Sequence, residues 1–151
     1  MKKKFLIIIL LLLLLVGCNK KEETELKENN NTTQGENKME TSNNIKITIN
    51  NQEYDINLEN NDTVRELKKM LPLNLTMTEL NGNEKYIYLD TNLPTNSYNP
   101  KTITKGDVML YGNNCLVIFY KSFNTNYSYT KIGHINNLGD LGKGNIEVTL
   151  E

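Results

Sequence analysis

The side chains that could carry out catalysis are few in this 151-residue sequence, and they stand apart from one another. His134 is the sole histidine, which excludes a metal site built from several histidines, and a lone histidine is more often a surface residue than a catalyst. Asp107 follows Gly106 and is interpreted either as a buried acid or as part of a turn. Ser122 and Ser128 have no partner base that the sequence can show. The sequence therefore identifies no catalytic group, and we predict no metal site and no cofactor.

Cys18 lies at the end of a segment that is typical of an export leader. Lysines at positions 2–4 precede an unbroken apolar run over residues 5–16, and Gly17 precedes the cysteine. The run is too short to span a hydrocarbon layer of roughly 30 Å, so residues 1–18 are interpreted as a lipoprotein signal peptide and lipobox, with an uncleaved anchor helix as the alternative. We expect Cys18 to be lipidated, which would anchor the chain to a bacterial cell membrane with its domain on the extracytoplasmic side.

The charge balance argues against a nucleic-acid partner. The chain has 17 basic and 18 acidic residues, and loss of the three leader lysines leaves 14 against 18, a net charge of −4. No basic cluster follows Lys21, and Arg65 is the only arginine. Nucleic-acid binding depends on clustered positive charge, so we predict no nucleic-acid partner.

Cys115 is the second of two cysteines and would be the only free one after lipidation of Cys18. An intrachain disulfide would then be impossible. Its neighbours Leu116 and Val117 favour a strand, where a free cysteine is usually buried and inert.

Residues 19–44 are predicted to form a disordered tether. Lys, Glu, Asn and Thr dominate this segment, and Leu26 and Met39 are its apolar members. Such a composition buries too little apolar surface to fold. A flexible chain of this length has a root-mean-square reach of roughly 25–30 Å, so we interpret it as a spacer.

Strand patterns dominate residues 45–151, which are predicted to form one domain. Apolar alternation on both sides of Asn50-Asn51 predicts a hairpin with a two-residue turn. That turn pairs Ile45 with Ile56 and Lys46 with Asp55. Two apolar side chains then lie opposite each other, and a basic side chain lies opposite an acidic one.

A second hairpin is predicted around Asn81-Gly82, the strongest short turn signal in the sequence. A two-residue loop there pairs Met77 with Tyr86 and Leu75 with Tyr88. Both tyrosines would then share a face with aliphatic residues.

One helix is predicted over residues 62–71, before Pro72. Asp62 or Thr63 is the expected N-cap, with Glu66 completing a capping box with Thr63. The stretch from Asp90 to Lys105 contains two prolines and is interpreted as a long, candidate binding loop.

A third hairpin, GDVMLYGNNCLVIFYKSF, is predicted over residues 106–123 and is apolar on both faces. With Asn113-Asn114 as the turn, one face would carry Val108, Leu110, Val117 and Phe119, and the other Met109, Tyr111, Leu116, Ile118 and Tyr120. Both faces must be covered, one by a barrel interior. We expect the helix to cover the other, with a loop or a ligand-binding groove as alternatives.

Further strands are predicted over residues 127–135 and 145–150. Seven or eight strands and one short helix favour a mainly β fold, a small closed antiparallel barrel.

The runs LPLNLTMTELNGNEKYIYLD, LPTNSYNP, GDVMLYGNNCLVIFYKSF and YSYTKIGHI resemble the bacterial cyclophilin-like domain family in order and spacing. The resemblance covers essentially all of residues 45–151. It implies a closed, eight-stranded, cyclophilin-type barrel and does not imply an established activity.

True cyclophilins lower the barrier to prolyl isomerisation with an apolar proline pocket and an arginine on a strand. Arg65 falls on the predicted helix and does not match that strand motif, so the catalytic role is not carried over to it. Lys131 and His134 are the remaining candidate donors, although a lysine lacks the planar guanidinium fork.

We therefore predict a binding module for a peptide or small ligand. The alternatives are a membrane-anchored prolyl isomerase that assists folding of exported proteins, and a docking protein with an exposed apolar patch and no pocket. The candidate ligand-binding residues are Tyr88, Asn96, Phe119, Phe123, Tyr129 and His134.

Overall fold

The computed structural model describes residues 43–151, which form ten strands and one helix. In chain order these are β1 (Asn44–Ile49), β2 (Gln52–Leu58), α1 (Asp62–Lys68), β3 (Leu73–Leu80), β4 (Glu84–Tyr88), β5 (Thr102–Ile103), β6 (Asp107–Tyr111), β7 (Cys115–Phe119), β8 (Phe123–Asn124), β9 (Thr130–Ile135) and β10 (Ile146–Leu150). The predicted signal peptide (1–18) and nearly all of the predicted tether (19–44) lie outside the described residues.

Eight of the strands close into a barrel in the order β1-β10-β3-β4-β7-β6-β9-β2. All the neighbouring pairs are antiparallel, and β2 pairs with β1 to complete the circle. Closure leaves no unpaired strand edge, and β5 and β8 form a separate two-stranded sheet. The predicted fold class, a small closed antiparallel barrel with one short helix, is confirmed.

The first hairpin has the predicted register. Ile45 lies opposite Ile56 and Lys46 opposite Asp55. Asn50 and Asn51 have φ angles of 47° and 68°, the left-handed pair that a type I′ turn requires.

The register predicted for the second hairpin is wrong by one residue. Tyr86 lies opposite Thr78 instead of Met77, because the loop holds a third residue, Asn83. The Asn83 N–H closes the turn on the Leu80 carbonyl at 3.3 Å, while its own carbonyl accepts from Tyr120 N–H at 3.0 Å. This partner, which directly follows β7, holds Asn83 out of the β3–β4 ladder.

This correction changes which side chains of β4 enter the barrel. A one-residue shift in pairing moves a strand's side chains to the opposite face relative to its neighbour. Met77 is fully buried inside the barrel, whereas Tyr86 and Tyr88 lie on the outer face with Glu84. Lys85 enters the interior and is completely buried.

The register predicted for the third hairpin is wrong in the same way. Tyr111 pairs with Cys115 and Leu110 with Leu116, across a three-residue loop that begins at Gly112 with φ of 60°. The two faces are therefore composed differently from the prediction. The inner face carries Val108, Leu110, Leu116 and Ile118, and the outer face carries Met109, Cys115, Val117 and Phe119. Both faces are buried, as predicted.

The helix packs with the inner face, so the prediction that it covers the outer face is wrong. Val64 and Leu67 belong to the cluster of buried residues that fills the barrel. The N-cap is also corrected: Asn61 Oδ1 accepts from Val64 N–H at 2.9 Å, in place of a cap by Asp62 or Thr63.

The outer face of β6 and β7 is covered by the small sheet of β5 and β8 and by the segment before β9. Ile103 from β5, Phe123 from β8 and Tyr129 contact the outer apolar residues to form a second cluster, which we call the outer cluster. This is the loop alternative, since β5 lies in the stretch predicted to be a long loop. The eight barrel strands have all their neighbours within residues 43–151, and this segment contains both apolar clusters.

Within residues 43–151, no helix has the length and apolar character needed to cross a bilayer.

Candidate functional site

A groove opens on the outer face of the barrel beside the outer cluster, with a volume of 290 Å³. Residues from β3, β4, β6 and β7 and from the segment before β9 line it. We call it the tyrosine groove, and its lining residues are Leu80, Asn81, Glu84, Tyr86, Tyr88, Tyr111, Cys115, Val117, Tyr127 and Tyr129.

Strand pairing sets the floor and two walls of the tyrosine groove. Cys115 on β7 lies opposite Tyr88 on β4 and opposite Tyr111 on β6. Directly paired residues on neighbouring strands share a face, so the two tyrosines flank Cys115 from both sides. Val117 continues the floor opposite Tyr86.

The third wall comes from the segment between β8 and β9. Tyr129 forms a backbone bridge to Tyr98, with N–H to carbonyl distances of 2.9 and 3.0 Å. This bridge holds the Tyr129 ring 5.6 Å from the Tyr111 ring. Tyr127, two residues earlier, packs edge-to-face on Tyr111 at 6.0 Å, and Tyr86 packs likewise on Tyr88 at 5.9 Å. Edge-to-face contacts favour this fixed arrangement of the rings.

Glu84 is the acidic residue of the groove. Its carboxylate is half-buried and has no hydrogen-bond or ion-pair partner among residues 43–151. Burial raises the pKa of Glu84, and the negative charge of nearby Glu79 raises it further.

Cys115 is a poor candidate for a nucleophile. Its side chain is buried in the groove floor, and burial raises the pKa of the thiol, as does the charge of Glu84. The thiolate is the reactive form, so this environment disfavours nucleophilic chemistry. The prediction that this cysteine is buried is confirmed.

A buried polar network lies on the inner side of β4, behind the groove. Lys85 Nζ donates to Glu79 Oε2 at 2.5 Å and to the carbonyls of Gly142 and Gly144 at 2.9 and 2.7 Å. Tyr120 donates its hydroxyl proton to the same carboxylate at 2.6 Å. Burial and the hydrogen bond to Glu79 raise the pKa of Tyr120 to about 12. The network fixes β4 and with it the three groove residues on the opposite face.

The predicted ligand-binding residues do not form one site. Tyr88 and Tyr129 line the tyrosine groove. Phe119 is fully buried in the outer cluster, with its ring 5.5 Å from Tyr129 and 5.6 Å from Phe123. The two phenylalanines therefore support the groove from beneath and beside it.

Asn96 and His134 lie elsewhere. Asn96 lines a separate polar depression together with Arg65, near the start of α1. His134 Nδ1 lies 3.0 Å from Asp107 Oδ1, and the other oxygen of Asp107 accepts from Thr104 N–H at 2.8 Å. Asp107 thus connects β9 to the turn before β6.

The three candidate donors for prolyl isomerisation are absent from the groove lining. Arg65 lies on α1, as predicted, and pairs with Asp62. Lys131 pairs with Glu59 at 3.3 Å, and His134 is engaged by Asp107.

Sequence reasoning missed Glu84, Tyr86, Tyr111 and Tyr127 as groove residues. The alternation Glu84-x-Tyr86-x-Tyr88 indicates three side chains on one face of β4. The predicted hairpin register assigned that face to the barrel interior, whereas the observed register places it outside. In the described part of the chain, no three His, Cys, Asp or Glu residues come together as a metal site would require.

The comparisons with known proteins agree with this architecture. A family model described as the cyclophilin-like family matches residues 47–151. Comparison with curated proteins and with solved structures gave no match. The matched region covers the closed barrel almost from its first strand to its last, and on this basis the chain belongs to the cyclophilin-like family.

Proposed function

We propose that this protein is a membrane-anchored lipoprotein whose cyclophilin-like domain binds a peptide or a small ligand in the tyrosine groove. The proposal has two parts, a binding site on the barrel and an anchor at Cys18. Each part has its own support and its own test.

The distribution of exposed apolar side chains carries the first part. In residues 43–151 the exposed large hydrophobic residues are Leu80, Tyr88, Tyr98, Tyr111 and Tyr127. All of these except Tyr98 line the tyrosine groove. Exposed apolar residues gathered in a concave site favour ligand binding, since a folded domain gains no stability from exposing them together.

The groove supports binding better than catalysis of prolyl isomerisation. That reaction faces a barrier of roughly 20 kcal/mol, and the twisted amide must be stabilised by a donor. None of the groove residues is a lysine, an arginine or a histidine. Isomerase activity is therefore the alternative outcome of the binding experiment.

Exchange NMR on a short Ala-Pro peptide, with and without the segment 43–151, measures binding and turnover in one sample. Line broadening without faster cis/trans exchange supports a peptide-binding module, and faster exchange supports the isomerase. The Tyr88→Ala variant should lose the broadening, while Tyr98→Ala, an exposed tyrosine outside the groove, should keep it. Equal effects of the two variants would place binding outside the groove.

The residues that precede the barrel support the anchor. Three lysines, the apolar run over residues 5–16 and Gly17-Cys18 form the pattern of a lipoprotein leader. Metabolic labelling with a radioactive fatty acid in a bacterial host should label the chain and leave a Cys18→Ala variant unlabelled. Equal labelling of the two chains would contradict lipidation at Cys18.

A further inference from the structure

The tyrosine groove has a negatively charged side chain in its lining and no positively charged one. Glu84 is the only charged residue of its lining, and no cationic side chain faces it there. The same carboxylate has no hydrogen-bond donor among the residues that the structure describes. A half-buried carboxylate that accepts no hydrogen bond from the protein is stabilised by a nearby cation, and no cationic side chain lines the groove.

The raised pKa of Glu84 is consistent with a carboxylate that has no cationic partner in the free protein. Burial raises it, and Glu79 adds to the effect, so the free protein disfavours the ionised form. A bound cation would reverse this effect, because an opposite charge close to a carboxylate favours its ionised form.

The tyrosine rings provide a second attraction for positive charge. Tyr88 and Tyr111 stand on strands on either side of β7 and flank Cys115. Adjacent strands are about 4.8 Å apart, so the two tyrosine backbones are separated by roughly 10 Å. An aromatic ring attracts a cation that lies over its face within roughly 6 Å of the ring centre. Five tyrosines line the groove, Tyr86, Tyr88, Tyr111, Tyr127 and Tyr129, so a cation bound there has aromatic rings around it.

The volume of the groove limits the ligand's size. At 290 Å³ it is at the lower end of small-molecule sites, which usually have about 300 to 1,000 Å³. It therefore suits a single side chain or a small organic ion. Hard metal cations prefer several oxygen ligands, and Glu84 is the only carboxylate in the lining.

We propose that the tyrosine groove recognises an organic ammonium cation, with Glu84 as its counter-ion and the tyrosine rings of the lining as its aromatic walls. This inference rests on the proposed binding function and names the ligand's chemical class. The ammonium group could come from a lysine side chain of a peptide or from a free quaternary amine, and the experiment separates these two sources.

The test uses the full chain in a non-ionic detergent and measures binding by NMR titration with matched pairs of probes. Choline is compared with 3,3-dimethylbutan-1-ol, its neutral analogue of nearly the same shape. The peptide Gly-Gly-Lys-Gly-Gly is compared with the same peptide carrying norleucine in place of lysine. We expect each cation to bind about tenfold more tightly than its neutral match. The tighter of the two cations identifies the source.

The Glu84→Gln variant should lose the preference for the cation and retain its affinity for the neutral probe. Tyr111→Leu should weaken binding of the cations, whereas Tyr98→Leu, outside the groove, should not change it. Circular dichroism of each variant would show that the fold is retained.

Equal affinities within both pairs, or an unchanged preference in Glu84→Gln, would overturn the cation inference and leave a groove for neutral ligands. Absence of binding by every probe would overturn it as well. The proline-peptide experiment on Tyr88→Ala measures the groove's binding function independently, so failure of the cation inference can be told apart from failure of the proposed function.

Discussion

Lys85 Nζ lies 2.5 Å from Glu79 Oε2 inside the barrel, and the Lys85 side chain is fully buried. Its remaining donors reach the carbonyls of Gly142 and Gly144, so all three N–H groups of the ammonium have acceptors. A buried charge is tolerated when it is paired and fully hydrogen-bonded. The pair therefore ties the β3–β4 hairpin to the loop before β10.

Replacing Lys85 with methionine should destabilise the domain strongly, because Glu79 would lose its cationic partner and the carbonyls of Gly142 and Gly144 would lose their donor. Removing one member of a buried pair costs about 3–5 kcal/mol. Urea unfolding of the segment 43–151 measures the change. Lys46→Met is the matched control, since Lys46 pairs with Glu53 and Asp55 on the surface, where solvent screens the pairs, and its loss should cost far less than the loss of Lys85. Similar losses for both variants would contradict the structural role of Lys85.

Tyr120 should make the domain less stable at alkaline pH. The folded state raises the pKa of Tyr120 from 10.0 to about 12, so the unfolded chain releases this proton first. The stabilisation is complete below about pH 10 and is lost as pH rises to about 12, a change on the order of 2–3 kcal/mol. Unfolding free energies of the wild type and Tyr120→Phe across this range provide the measurement. The difference between them should narrow as pH rises; a constant difference would refute the prediction.

Glu84 should reduce stability at neutral pH. Burial and the charge of Glu79 raise the pKa of Glu84 in the folded state above its value of 4.5 in the unfolded chain. Protonated Glu84 therefore favours the folded state below about pH 4.5. This stabilisation is lost as the pH rises through the folded-state pKa. Glu84→Gln should therefore be more stable than the wild type at about pH 7, with a smaller difference at about pH 3. Thermal unfolding at both pH values would check this. A variant less stable than the wild type at neutral pH would show that Glu84 has a structural partner.

Cys115 should react slowly with iodoacetamide. Burial raises the pKa of its thiol and Glu84 raises it further, which lowers the thiolate fraction. In the segment 43–151 it is the only cysteine, so mass spectrometry reports its modification directly. We expect alkylation at neutral pH to be at least roughly tenfold slower than in the same segment unfolded in urea. Equal rates would mean that the groove floor is open and the thiol accessible.

The sequence predicted the first hairpin correctly because its information is local. Two asparagines adopt the left-handed conformation of the turn, and the alternation of isoleucines sets the register on both sides. The same alternation across residues 44–150 was sufficient to predict an antiparallel barrel, since each strand needs a covered face.

The second and third hairpins were mispredicted because their loops depend on distant residues. Asn83 leaves its ladder to bond with Tyr120, which is 37 positions later in the chain, and no local pattern reports that contact. In the third hairpin, the Asn113 and Asn114 carbonyls accept from Leu93 and Leu89 N–H at 2.7 and 2.8 Å. Each contact favours a three-residue loop over the two-residue turn that the sequence suggested.

The sequence by itself determined the fold class, the position of the helix and the requirement that both faces of the third hairpin be covered, because apolar periodicity and turn propensity are local properties. Only the tertiary structure decided that Lys85 lies inside the barrel and Tyr86 and Tyr88 outside it. That choice depends on hairpin register and on acceptors such as the Gly142 and Gly144 carbonyls, 57 and 59 residues away. The tyrosine groove exists because of these long-range contacts.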